Sequence, residues 1–60
     1  MVELWIAVDK SGSVYLYGGK PEKALDVYLY SGDYMEITKE IMIKLIGKEI
    51  TWEDEPVQIK

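Results

Sequence analysis

The chain has no cysteine, no histidine, no phenylalanine and no arginine, and each absence removes a class of explanation. Without cysteine there is no disulfide framework, and without cysteine or histidine the commonest zinc ligands are gone. A chain of 60 residues buries only about 60% of the surface it exposes when unfolded. Domains of this size ordinarily recruit disulfides, a metal or a second subunit, so oligomerisation is the helper that remains. The seven basic residues are all lysine and face eleven acidic ones, giving a net charge of −4 and a pI near 4.6. No more than two lysines lie close together, so the positive patch that binds a phosphate backbone by counterion release is missing. A basic protein is the more natural partner. No apolar run approaches the roughly 18 residues of a membrane span, and the N-terminus carries no signal-peptide pattern. The expectation is one small domain, soluble and cytoplasmic in its host cell, with no membrane partner.

What is present is aromatic and amphipathic. Five tyrosines and two tryptophans mean that every aromatic ring carries a hydrogen-bonding group, which suits half-buried surfaces and interfaces. The stretch from Leu4 to Tyr17 reads as a β-hairpin. Val2 to Asp9 alternates, with Val2, Leu4, Ile6 and Val8 on one side, and Gly12 suits the left-handed position of a three-residue loop of Lys10, Ser11 and Gly12. Pairing Asp9 with Ser13 sets Val8 across from Val14, Ala7 from Tyr15, Ile6 from Leu16 and Trp5 from Tyr17. One face is then aliphatic and the other holds Trp5, Tyr15 and Tyr17. The Asp9 side chain is placed to bond back to the loop amides.

Gly18 to Ala24, with Gly19 and Pro21, reads as a connection. A third strand, Asp26 to Tyr30, puts Val27 and Leu29 on the aliphatic face and Tyr28 and Tyr30 on the aromatic one. A turn of Ser31, Gly32 and Asp33 would pair it with the next strand, setting Tyr30 across from Tyr34, Leu29 from Met35 and Val27 from Ile37. The competing two-residue turn at Gly32 and Asp33 would strand Met35 and Ile37 among the tyrosines, at a loss of about 25 cal/mol per Å² of apolar area. Thr38 is a helix N-cap, with Ile37 and Met42 spaced as a hydrophobic staple and Glu40 in the first turn. The helix should run to about Ile46, present Ile41, Met42, Leu45 and Ile46 as its core stripe, leave Ile43 outside, and end at Gly47. Val57 and Ile59 alternate after Pro56 as a short edge strand. The fold class expected is α+β, a small antiparallel sheet of roughly four or five strands with a single helix packed on its aliphatic face.

Catalytic chemistry is sparse. With no histidine or cysteine, the remaining groups are carboxylates, lysines, tyrosines and serines, and Ser11, Ser13 and Ser31 are explained by turns. Gly18-Gly19-Lys20 precedes proline and not a helix start, so it is no phosphate loop. The acidic segment Glu49, Glu53, Asp54 and Glu55 lacks the spacing of a calcium loop. It reads as a solvated loop or an electrostatic contact for a basic partner, and imitation of a nucleic-acid backbone is a further possibility. The expectation is a protein with no enzymatic activity, no cofactor and no metal.

The aromatic face of Trp5, Tyr15, Tyr17, Tyr28 and Tyr30 is the candidate binding surface. Uncovered, it would expose on the order of several hundred Å², the scale of an interaction site. The rings could instead complete a second small core, with Trp52 folding over Trp5 and the tyrosines. Homo-oligomerisation, a host protein, or a planar ligand such as a nucleotide clasped between subunits would each use such a face. In the last case Lys10, Lys20 and Lys23 would balance the ligand's charge. A structural subunit of a larger assembly is a further alternative.

The segments LWIAVDKSGSVYLYGGKP and EITWEDEPVQI resemble those of a group of short proteins from gut Bacteroidales and their phages and mobile elements. The shared pattern falls on Trp5, Ile6, Ala7, Asp9 and Gly12 and on Thr51 to Val57. The resemblance implies a small non-enzymatic accessory protein of phage or mobile-element origin, and from that company a counter-defence role. It supplies no substrate or catalytic residue to carry over.

Overall fold

The structure, a computed structural model, describes residues 3–59. The hairpin forms with its expected register. Strands β1 (Trp5–Val8) and β2 (Val14–Tyr17) pair Trp5 with Tyr17, Ile6 with Leu16, Ala7 with Tyr15 and Val8 with Val14. Gly12 takes φ +95°, the conformation that excludes side chains with a Cβ, and donates its N–H to the Asp9 carbonyl at 2.8 Å. The Asp9 N–H closes the loop onto the Ser13 carbonyl at 2.9 Å. Val2, assigned to the first strand from its alternation, lies outside the described residues.

Two short strands follow, β3 (Glu22–Lys23) and β4 (Tyr28–Leu29), which among the described residues pair only with each other. Next come β5 (Tyr34–Ile37), the helix α1 (Lys39–Ile46) and β6 (Val57–Gln58). The main sheet is antiparallel, in the order β5-β2-β1-β6. The fold is thus α+β, with a four-stranded antiparallel sheet, a second sheet of two strands and one short helix.

The hairpin expected between Asp26–Tyr30 and Tyr34–Ile37 does not form. β5 pairs with β2, setting Val14 across from Ile37 and Leu16 from Met35, and β4 leaves the main sheet altogether. The reason lies in Tyr28. Its N–H donates to the Asp9 carboxylate at 3.1 Å, its hydroxyl to the Asp54 carbonyl at 3.2 Å, and its ring is buried. Lys10 reinforces this by donating its N–H to the Asp26 carbonyl at 3.1 Å. The segment is drawn across the tyrosine side, where one large ring gains cover while Leu25, Val27 and Leu29 stay exposed. The Asp9 side chain therefore serves a distant strand and not its own loop.

The helix follows its sequence signals. Thr38 Oγ1 accepts the Ile41 N–H at 3.1 Å, and Gly47, at φ +76°, donates its N–H to the Ile43 carbonyl at 2.7 Å. Its core stripe is narrower than expected. Met42 is fully buried and Ile46 packs beside it, whereas Ile41 and Leu45, assigned to the core, are nearly half exposed, as is Ile43. A helix this short meets a small sheet along one i, i+4 line, and Ile50 on the following segment completes the contact with Ile6, Val8 and Val14.

Candidate interaction surface

The aromatic residues singled out from the sequence come together as a layer on the face opposite the helix. Ala7, Tyr17 and Tyr28 are buried there, with Trp5, Tyr15, Tyr30 and Trp52 packed around them. The reading of this face as uncovered is corrected and its alternative, a second small core that includes Trp52, forms, because Tyr28 and Tyr30 from the β4 segment and Trp52 pack onto it. Rings meet edge to face, Tyr17 with Tyr30 at 5.8 Å and Tyr28 with Trp52 at 5.4 Å between centroids, the geometry that aligns a ring's positive edge with a negative face. Tyr30 fits because its neighbours are glycines. A Cβ on Gly19 or Gly32 would lie 2.9 Å or 2.6 Å from its ring carbons. Burial, aided by the nearby Asp9 carboxylate, pushes the Tyr17 phenol up to about 12. Tyr28 is raised by burial and then by Glu55, and Tyr15 chiefly by Glu36, its cross-strand neighbour. In each case the anion is disfavoured.

The lysines that would balance an anionic ligand are engaged on this cover. Lys10 Nζ lies 3.5 Å from Asp26, Lys20 Nζ stands 5.7 Å from the centre of the Trp5 ring, and Lys23 Nζ is 4.3 Å from that of Trp52. Lys23 also donates to the Trp52 carbonyl at 3.0 Å. The acidic segment does not converge. Asp54 shapes a turn by accepting the Thr51 N–H at 2.8 Å, Glu49 pairs with Lys39 at 3.1 Å, and Glu53 and Glu55 are exposed. Among the described residues no three acidic side chains gather as metal ligands would.

Exposed apolar side chains occur on the segment from Leu25 to Leu29, on the helix and on β5, and those of β5 adjoin an open end of the aliphatic face. Tyr34 is 60% and Met35 58% exposed. The helix covers the Ile6, Val8 and Val14 part of that face, and beyond it Leu4, Leu16 and Met35 help to line an open depression of about 530 Å³. Sequence reading missed this because it gave β5 a different neighbour. The available signal was Tyr34, whose ring joins the tyrosine layer 5.9 Å from both Tyr15 and Tyr17.

β5 is an edge of the main sheet, and its hydrogen-bonding parity is determinate. Gly18 donates its N–H to the Asp33 carbonyl at 3.0 Å, in line with the β2–β5 register. Opposed residues of an antiparallel pair alternate between hydrogen-bonded and non-hydrogen-bonded. Asp33, Met35 and Ile37 therefore direct their main-chain groups to β2, while Tyr34 and Glu36 direct theirs outward. Among the described residues no strand pairs with that outer edge. The opposite edge differs, since β6 is two residues long and follows Pro56.

No protein-family model matches the chain, and no curated protein or solved structure matches it.

Proposed function

We propose that this is a small non-enzymatic interaction protein, a phage or mobile-element accessory, that binds itself or a host protein by adding a strand to its sheet at β5. The observation that carries this reading is the unpaired edge, where the outward main-chain groups of Tyr34 and Glu36 are flanked by exposed Tyr34 and Met35. Edge strands are ordinarily blunted by proline, charged side chains, a bulge or extreme shortness. β6 is short and preceded by proline, whereas β5 is twice as long and its one guard along Tyr34–Ile37 is the charge of Glu36. An incoming strand would draw affinity from main-chain hydrogen bonds and specificity from alternate side chains. The aromatic layer, the candidate surface from the sequence, then acts as the stiff backing of that edge, with Tyr34 joining the two.

Hydrogen exchange tests the reading for any partner. In isotope-labelled protein returned to an extract of its native cells, the Tyr34 and Glu36 amides should gain protection, while those of Met35 and Ile37 are protected throughout by β2. Unchanged, rapid exchange at Tyr34 and Glu36, in extract and at high protein concentration alike, would refute strand addition at β5.

A further inference from the structure

We infer that the strand received by β5 is β5 of a second copy, antiparallel, with Met35 opposite Met35 of the partner subunit. This rests on the strand-addition reading and deepens it by fixing occupant and register. Because only Tyr34 and Glu36 present outward amides and carbonyls, two copies can exchange ladder bonds only in registers that oppose these residues to each other or to themselves. Three such registers are open. Centring the two-fold axis on Glu36 sets it directly against the partner's Glu36, and like charges in opposition are destabilising. Centring it on Tyr34 sets Met35 against the partner's Asp33, an apolar side chain against a carboxylate.

Centring the axis on Met35 avoids the first and moves the second from the middle of the pairing to its ends, where Ile37 stands across from the partner's Asp33, a residue beyond the four of β5. Tyr34 then exchanges its main-chain bonds with the partner's Glu36, and Glu36 with the partner's Tyr34, so a phenol hydroxyl faces each carboxylate. The two Met35 side chains meet on the face that also carries Leu16, their neighbour on β2. The apolar part of each depression, Leu4, Leu16 and Met35 beside the Tyr30, Asp33 and Tyr34 that help complete its wall, is brought next to its counterpart in an eight-stranded sheet of two four-stranded halves. An isologous pairing of this kind uses one patch twice and closes on itself, leaving the two-residue β6 strands as the outer edges. It also supplies the second subunit that a 60-residue chain without cysteine lacks as a stabiliser. A four-residue edge buries less than the ~800 Å² per partner of a standard interface, so the dimer should dissociate on dilution.

The test uses the absence of native cysteine. Met35→Cys introduces the single thiol of the chain at an exposed position, and opposed residues of a non-hydrogen-bonded pair stand about 4.5 Å apart at Cα, within disulfide range. Mild oxidation should give a covalent dimer from Met35→Cys alone, whereas Tyr34→Cys and Glu36→Cys should cross-link efficiently only when mixed with each other. Sedimentation of the unmodified chain should show mass doubling with concentration. Glu36→Pro, which deletes an outward N–H and leaves the amides facing β2, should return that mass to the monomer. Efficient self-cross-linking of Glu36→Cys or Tyr34→Cys would overturn the register. A monomer at every concentration would overturn self-pairing, while protection of the Tyr34 and Glu36 amides in native extract would still stand for a different strand.

Discussion

The two faces of the main sheet are built from different materials and held by different forces. On the helix side, Ile6, Val8, Val14, Met42 and Ile50 form a dry aliphatic core in which shape and dispersion do the holding. On the other side, Tyr17 and Tyr28 are buried among rings, the Tyr28 hydroxyl donates to the Asp54 carbonyl, and the covering strands are tied down by the Asp9 carboxylate and the Lys23 ammonium. The first face closes by burying area. The second closes only if specific donors meet specific acceptors, because an unmatched polar group there would cost more than the burial returns. The lesson is that one sheet this small can carry a general-purpose core and a latched one back to back.

That contrast can be broken most severely from the aliphatic side. Met42→Ala removes a side chain with no solvent exposure and should cost about 2–5 kcal/mol. A domain of this size rarely holds more than about 3–5 kcal/mol in total, so urea titration should find the variant largely unfolded, with both faces lost together. Asp9→Ala attacks the latch. It leaves the buried Tyr28 N–H without its acceptor and should cost about 1–3 kcal/mol, and amide exchange should rise in residues 22–30 before it rises in β1 and β2. Equal loss on both faces would show that the latch is not separable from the sheet.

Smaller effects sharpen the same comparison. Thr38→Ala removes the cap that accepts the Ile41 N–H and should cost about 1 kcal/mol, read as a lower denaturation midpoint with the tyrosine environment unchanged until the transition. Alkali needs no mutation. The Tyr17 phenol is raised from its ordinary value near 10 to about 12 by burial, so the folded state holds its proton more tightly than the unfolded one. Its stabilising contribution is complete below pH 10 and is lost as the pH climbs from 10 towards 12. Tyrosinate absorbance should show Tyr17 titrating late, and Tyr17→Phe should remove that step and weaken the dependence of stability on pH in this window. A full complement of tyrosines ionising together near pH 10 would instead mean that the aromatic layer is open to solvent.

Much of the fold was legible in the residues. The β1–β2 register followed from alternation together with Gly12, the helix from Thr38 and Gly47, and the terminal strand from Val57 and Ile59 after Pro56, all of them local signals read within a few residues. The aromatic set was also correctly grouped on one face. Its cover was less legible. Alternation showed that Tyr28 and Tyr30 oppose Val27 and Leu29, but two arrangements satisfy it, and only one brings the Tyr28 N–H to Asp9, its neighbour across nineteen positions of chain.

What the sequence by itself determined is the material of each face, because side-chain parity along a strand is a property of the chain alone. Which strand neighbours which was decided only in three dimensions. Transferring β5 to β2 and folding β4 across the tyrosines exchanged exposed Val27 and Leu29 for a buried Tyr28 with both its polar groups satisfied. That same exchange left Tyr34 and Glu36 on an open edge. Strand order depends on contacts between distant segments, and no local pattern of residues encodes which of two compatible neighbours a strand will take.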